Sequence, residues 1–376
     1  MYTVDCKSYA GLLVKCYNDK SPLMIYGPAG VGKSDIPRQV FAKVAQSQQR
    51  EFVEWHKLSY DGKLEAIKNP TKYFVFSDQR IAQMDPTDLR GIPNMTKEKM
   101  LECIPLSWIV YFTTPGASGV IFFDEINLAA PIVAGQAYQI IRDRSIADRT
   151  LAKDVFVFAA GNRLNDKAYV HDMPVPLRDR FNEVEIKADK DSWTEWAINT
   201  SINPHLIAFI NWKASYLYTL DQQLSQEEKG SSPRSIERAS KLIENIDITD
   251  QNAHMFISVA CGSPFATEFQ AYVKCYSELS WSTIYKKPSI VADYKFDKKW
   301  AISGGIIEHY LCKNEKEAEN YPYEKMAEVV NQLGVEFATI ILRQMIKSDA
   351  KRFDNISKTK AFSNMAEFYT KYIQVG

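Results

Sequence analysis

A glycine-rich segment near the start of the chain has the residue types and spacing to bind phosphate groups. It follows the apolar run 22–26, and its glycines let backbone N–H groups converge on an anion without side chains intervening. Lys33 would reach the terminal phosphates, and the Ser34 hydroxyl would bind Mg²⁺. We predict a nucleoside triphosphate site formed by Gly27, Pro28, Ala29, Gly30, Val31, Gly32, Lys33 and Ser34.

Two acidic residues that follow a second apolar run could supply hydrolytic chemistry. Asp124 and Glu125 come directly after the apolar or small residues 119–123. Because open α/β sheets bind ligands at the carboxyl ends of their strands, both carboxylates would lie beside the phosphates. Asp124 would hold Mg²⁺ through water, and Glu125 would polarise the attacking water. The pair therefore predicts hydrolysis of the bound nucleotide.

Three further positions could complete such a site. Asn162 follows another apolar run, where an amide can orient water against the terminal phosphate without adding charge. Arg178 and Arg180 precede the next apolar run, and an arginine from a neighbouring subunit can neutralise charge on a transferred phosphoryl group. Surface ion pairing is the alternative for both. Arg234, at the start of a predicted helix, could reach a phosphate or be an ordinary exposed arginine.

The elements that would position these residues follow from hydrophobic patterning. To about residue 190, short apolar runs alternate with helical stretches, which is typical of a parallel sheet flanked by helices. From residue 191 onward helical patterns dominate, with a Lys- and aromatic-rich connector at 285–300 and a helix at 323–348. The predicted domains are a core at 1–190, a helical lid at 191–284 and a helical extension at 285–376. The predicted core strands are 23–26, 73–76, 119–123, 155–159 and 183–186.

Composition limits the classes of protein to consider. The 376 residues contain 46 Lys plus Arg and 46 Asp plus Glu, so no overall charge draws the chain to nucleic acid or to anionic membrane. Six scattered cysteines without a C-x-x-C pair argue against structural zinc and a disulfide framework. No apolar run approaches the ~20 residues of a membrane span, and no signal peptide pattern begins the chain. We expect a cytoplasmic protein, of a bacterium or of a host cell if a virus encodes it.

In order and spacing, these motifs resemble the AAA+ ATPases, and more closely their MoxR branch. The resemblance covers roughly residues 5–280. It is carried by Asp85-Pro86-Thr87-Asp88-Leu89-Arg90-Gly91-Ile92-Pro93 after the second predicted strand, Asp124-Glu125-Ile126-Asn127 followed by Ala129-Ala130-Pro131, Ala160-Gly161-Asn162-Arg163, the segment 177–181, Ser232-Pro233-Arg234-Ser235 and the segment 262–272.

The resemblance implies a P-loop AAA+ α/β core followed by an all-α lid, with ATP and Mg²⁺ as cofactors. Residue by residue, it assigns the phosphate loop to 27–34, the metal and water carboxylates to Asp124 and Glu125, and sensor 1 to Asn162. Arg180 would be the arginine finger and Arg234 sensor 2. Arg178 departs from the family pattern, which has a small or uncharged residue there, so the finger stays open between the two arginines.

The same resemblance implies a hexameric ring that remodels a protein client in a chaperone-like way, often with a von Willebrand factor type A domain partner. Hairpins facing a central pore would correspond to 97–115 and 144–153. One alternative is a nucleic-acid motor that uses lysines 286, 287, 295, 298 and 299 beside the aromatic residues 285, 294, 296 and 300. Another is a nucleotide switch with slow turnover. A metal chelatase is less well supported, because no His/Cys cluster is present.

Overall fold

The chain folds into two compact units, residues 1–187 and 188–376. The computed structural model describes residues 1–96, 101–163, 173, 175–221, 229–312, 318 and 320–363, with only the backbone described at 176 and 177. All strands in these described ranges belong to the first unit, and the second is helical. The predicted fold class, a P-loop α/β core with a parallel sheet followed by helices, is confirmed. The finer division at residues 284 and 285 stays a prediction.

A seven-stranded parallel sheet forms the centre of the first unit. Its strand order is β1-β11-β2-β10-β7-β4-β3. All five predicted strands are present, whereas the short edge strands β1 and β3 were not predicted. In chain order the strands of the unit are β1 Tyr2–Val4, β2 Leu23–Tyr26, β3 Glu51–Glu54, β4 Tyr73–Arg80, β5 Ile92–Met95, β6 Leu101–Ile104, β7 Ser118–Asp124, β8 Ser145–Ile146, β9 Arg149–Thr150, β10 Asp154–Gly161 and β11 Asn182–Ile186.

The remaining four strands form two antiparallel hairpins, β5 with β6 and β8 with β9. The second hairpin lies within the predicted range 144–153. The first was predicted at 97–115 but begins at Ile92, and residues 97–100 lie outside the described residues. Residues 107–113 form a helix instead, because Trp108, Ile109 and Phe112 are buried in the core.

Helices cover both faces of the sheet, and two of them support the phosphate loop. We label Cys6–Asp19 α1 and Asp35–Ser47 α2. Phe41 of α2 is fully buried, with ring centroids 6.1–6.4 Å from four phenylalanines of β4 and β10. This packing fixes α2 against the sheet. The other helices of the unit are Tyr60–Lys68, Pro86–Arg90, Ser107–Thr113, Pro131–Asp143 and Val175–Arg178, with 3₁₀ turns at Trp55–Lys57, Ile81–Gln83 and Ile126–Leu128.

The second unit packs its helices around one hydrophobic cluster that extends from Trp193 to Phe362. Two predictions are corrected here. The connector predicted at 285–300 already contains the start of a helix at Phe296, since Trp300 is fully buried. The helix predicted at 323–348 is broken at Gly334, whose φ of +96° suits glycine. The helices are Lys190–Asn199, Pro204–Trp212, Pro233–Leu242, Gln251–Cys261, Ser263–Ser277, Trp281–Lys286, Phe296–Leu311, Tyr323–Leu333, Val335–Ser348 and Ala350–Ser357, with 3₁₀ turns at Ala214–Leu217 and Pro288–Asp293.

Across the described residues, no helix combines the length and the apolar character needed to cross a membrane.

Two adjacent residues of the helix Phe296–Leu311 join a polar network inside the second unit. Glu308 Oε2 lies 3.1 Å from His205 Nε2, and His309 Nδ1 lies 2.8 Å from the Tyr285 hydroxyl. Burial opposes ionisation of Glu308, but hydrogen bonding and charge from His205 lower its pKa to about 2. Burial lowers the pKa of His309 to about 4, so its ring is neutral at physiological pH.

Acidification should therefore destabilise the second unit through His309. The unfolded state takes up the proton near the ordinary pKa of 6.5 and the folded state only near 4, so this contribution is complete above pH 6.5 and is lost below it. We expect His309→Phe to flatten the fall in unfolding free energy between pH 6.5 and 4.5 by about 2 kcal/mol, measured by urea denaturation. An unchanged slope would contradict this assignment.

Candidate functional site

Three strands of the central sheet, β2, β10 and β7, end side by side, and predicted site residues lie at these ends. The register pairs Gly161 of β10 with Tyr26 of β2, and Ala159 of β10 with Phe123 of β7. The phosphate loop, Asn162 and the acidic pair therefore leave the sheet at the same edge. β10 and β11 follow one another in the chain but lie on opposite sides of β2 in the sheet. The loop after β2 therefore lies at the topological switch point, where open α/β sheets bind ligands.

The backbone of the loop has the conformation that its glycines permit. Gly30 and Gly32 have φ values of +80° and +97°, which side chains disfavour. A Cβ at Gly27 would lie 2.5 Å from Cγ2 of Ile186, so the loop also passes close to β11. The loop leads directly into α2, whose N-cap residue Ser34 makes no side-chain capping bond, and the N-terminus of a helix favours a bound anion.

Lys33 is buried and turns its amine into the loop. Nζ donates to the carbonyl oxygens of Gly27 and Pro28, the latter at 3.0 Å, and to Oδ1 of Asn162 at 3.0 Å. From the other side, the buried hydroxyl of Tyr9 in α1 donates to the Lys33 carbonyl oxygen at 3.1 Å. Burial, and then Asp124, raise the pKa of Tyr9, which keeps this donor protonated. Tyr9 was not predicted, because its contact joins segments 24 residues apart.

The acidic pair meets the loop through a short hydrogen bond. The Ser34 hydroxyl donates to Asp124 Oδ2 at 2.7 Å, and the other carboxylate oxygen accepts from the Glu125 backbone N–H at 2.9 Å. Glu125 has a φ of +55°, an uncommon conformation for a residue with a side chain. Such strain is often held at functional sites, where it sets the direction of a side chain.

Asn162 is held from behind by a residue for which the sequence predicted no role. The side chain of Asn127 accepts from the Asn162 N–H at 3.0 Å and donates to the Asn162 carbonyl oxygen at 2.7 Å. Asn127 is only 4% exposed. Asn127 follows Glu125 by two residues, so its hydrogen bonds connect the segment of the acidic pair to Asn162.

A charged cluster beside the site also escaped the sequence analysis. Arg38 of α2 lies 3.3 Å from Asp78 and 3.0 Å from both Asp35 and Glu54. Burial, and then the charge of Asp124, raise the pKa of Asp78 to about 6, while Arg38 opposes the rise. Arg38 thus links α2, one turn beyond Ser34, to the end of β4.

The two candidate finger arginines differ in their surroundings. Arg178 forms an ion pair with Glu183 at 3.0 Å, whereas Arg180 is exposed in the turn before β11. The pKa of Asp143 is lowered mainly by its hydrogen bond with Arg142, and the charge of Arg180 contributes less. Arg234 is exposed in the first turn of the helix Pro233–Leu242, which Ser232 caps through the Ser235 N–H. The roles of the three arginines stay predictions.

The residues at this sheet edge fit a magnesium nucleotide. A hydroxyl and a carboxylate oxygen 2.7 Å apart are the hard oxygen ligands that Mg²⁺ accepts. The loop supplies backbone N–H groups and one buried amine for phosphate oxygens. When bound, the metal would neutralise phosphate charge. Ser34 and Asp124 would hold it, and Glu125 and Asn162 would orient water beside it.

The predicted nucleic-acid surface has fewer exposed rings than its sequence suggests. Trp300 is fully buried and Tyr285 is 7% exposed, so neither offers a face for stacking bases. Phe296 is 50% exposed but packs its ring against Trp300 and Phe337. Lys298 lies 3.9 Å from Glu278. This packing counts against a base-stacking surface at Trp300, Tyr285 and Phe296.

Comparison with known proteins gives structural similarities alone, since no protein-family model and no curated protein matches the sequence. NtrX from Brucella abortus in complex with ADP is 12% identical, with a TM-score of 0.36 over 98% of this chain and 68% of that one. NtrX in complex with ATP is 11% identical, with a TM-score of 0.36 over 98% of this chain and 68% of that one. The Thermotoga maritima RuvB Holliday junction branch migration motor is 14% identical, with a TM-score of 0.25 over 98% and 85%. With TM-scores this low, these similarities add nothing to the fold that the strand order establishes.

Removal of the Lys33 amine should weaken nucleotide binding. We expect Lys33→Met to reduce the affinity for a fluorescent ATP analogue roughly tenfold or more, since a hydrogen bond to a charged group contributes about 1.5–3 kcal/mol. Lys43→Met, which alters an exposed lysine of α2, is the matched control and should bind normally. Equal affinity for both variants would contradict the assignment.

Proposed function

We propose that the protein is an AAA+ ATPase of the MoxR type that hydrolyses ATP with Mg²⁺ in a ring oligomer. The observation that carries the proposal is the pair of hydrogen bonds Ser34–Asp124 and Lys33–Asn162. These bonds bring the phosphate loop, the acidic pair and the polar strand end to one edge of the sheet. A phosphate loop alone would fit kinases, switches and transporters equally well.

In this proposal each side chain has a separate task. The loop and Lys33 bind the phosphates, and Ser34 with Asp124 binds Mg²⁺. Glu125 accepts a proton from the attacking water, and Asn162 orients that water. Arg180, exposed before β11, reaches the nucleotide of a neighbouring subunit. Arg178 is less suited, because its guanidinium already pairs with Glu183. Arg234 takes the sensor 2 role that the family resemblance assigns to it.

The ring would act on a protein partner in a chaperone-like manner. The hairpin of β5 and β6 supports this part of the proposal, since Ile92, Met95, Leu101 and Ile104 are 55–72% exposed. Large apolar side chains in water mark surfaces that bind other proteins. A hexamer, and a von Willebrand factor type A domain protein as partner, are the finer expectations from the family resemblance.

Loss of the Glu125 carboxylate should separate binding from turnover. We expect Glu125→Gln to bind ATP within about threefold of the wild type and to lose at least roughly a hundredfold in kcat, the usual contribution of a general base. Phosphate release and nucleotide affinity are measured in parallel, with Glu51→Gln, an exposed carboxylate on β3, as the control. Turnover that was already negligible in the wild type would favour the nucleotide switch instead.

Mixing two inactive variants tests whether the site is shared between subunits. Lys33→Met subunits bind nucleotide weakly but present Arg180, whereas Arg180→Ala subunits bind nucleotide but lack the finger. Each alone should be inactive, and a 1:1 mixture should regain roughly a quarter of the wild-type rate by random assembly.

The matched variant Arg178→Ala should retain hydrolysis by itself. An Arg178→Ala variant that was inactive alone but recovered activity when mixed with Lys33→Met would reassign the finger to Arg178. If no mixture recovers, the shared site is wrong.

A further inference from the structure

Asn127 and Asn162 form a two-point clamp between neighbouring strand ends. Asn127 Oδ1 accepts from the Asn162 N–H at 3.0 Å, and Nδ2 donates to the Asn162 carbonyl oxygen at 2.7 Å. An amide is the side chain that presents an acceptor and two donors together, so it can satisfy both backbone groups of one residue. Two bonds to one residue fix its orientation as well as its position.

The clamp depends on the absence of a side chain at Gly161. A Cβ there would lie 2.7 Å from Asn127 Oδ1 and 3.0 Å from the Met24 methyl group. Gly161 is the last residue of β10, so a larger residue would push the Asn127 amide away from the Asn162 backbone. The pair Asn127 and Gly161 therefore acts as one structural unit.

The clamped residue in turn faces the phosphate loop. Asn162 Oδ1 accepts from Lys33 Nζ at 3.0 Å, so the orientation of the Asn162 amide is set between Asn127 and Lys33. Asn127 itself is 4% exposed and sits in the 3₁₀ turn Ile126–Leu128, directly after Glu125. One short segment thereby ties the acidic pair to the residue beside the Lys33 amine.

We propose that Asn127 is a positioning residue for ATP hydrolysis, which acts by holding Asn162 in place relative to Glu125 and Lys33. This inference rests on the proposed ATPase function. Asn127 acts through the Asn162 backbone, so it would affect the orientation of the attacking water and leave nucleotide affinity to the loop.

The test is a double-mutant cycle on kcat, with KM and nucleotide affinity measured beside it. Asn127→Ala should lower kcat on the order of tenfold to a hundredfold and leave KM for ATP within about threefold. In the background of Asn162→Ala, the same substitution should change kcat by less than about twofold, because the group it positions is already absent. A merely structural residue would lower activity equally in both backgrounds, which would overturn the proposal.

Two further variants keep the result interpretable. Asn127→Asp retains the acceptor but places an oxygen against the Asn162 carbonyl, so it should also lower kcat, and it serves if the alanine variant does not fold. Asn211→Ala removes an asparagine that is 6% exposed and makes two hydrogen bonds in the second unit, and it should leave kcat unchanged.

The ATPase rate of the wild type distinguishes a failure of the proposed function from a failure of the clamp. A wild type without ATPase activity refutes the proposed function. An active wild type with an unaffected or additive Asn127→Ala variant refutes the clamp alone.

Discussion

The parallel register of β2, β10 and β7 is the constraint on which the rest of the structure depends. Because Gly161 lies opposite Tyr26 and Ala159 opposite Phe123, three polar strand ends come together, although Tyr26 and Gly161 are 135 residues apart in the chain (161 − 26). A register change of one residue would turn every side chain of a strand to the other face of the sheet. The burial of these strands on both faces therefore fixes the site as well as the core.

Most of this arrangement could be predicted from the sequence because its signals are local. The central strands are short apolar runs that end in polar residues, and the phosphate loop is a contiguous motif. The edge strands lack such signals. Tyr2 and Thr3 of β1 are exposed, and β3 has a glutamate at each end. Neither β1 nor β3 therefore forms an apolar run from which a strand could be predicted. Pairing with a neighbouring strand stabilises them, and that neighbour is distant in the chain.

The contacts that orient the site could not be predicted for a related reason. Asn127 and Asn162 are 35 residues apart, and Arg38 and Asp78 are 40 apart. Each is an ordinary polar residue until the strand order is known. The motif 124–127 contains Asn127 but does not indicate that its side chain would bind the backbone of Asn162. The two arginines Arg178 and Arg180 likewise differ through tertiary contacts alone, since only the structure places Glu183 against Arg178.

The exposed hairpin of β5 and β6 has a consequence for the handling of the protein. Among the residues that the structure describes, no further strand pairs with this two-stranded ribbon, which has apolar side chains on both faces. Open strand edges together with exposed hydrophobic area promote uncontrolled strand pairing. With equal numbers of acidic and basic residues, the chain also has little net repulsion between copies near neutral pH. We therefore expect the isolated chain to self-associate at this ribbon, and a partner or an assembly that covers the ribbon would suppress that association.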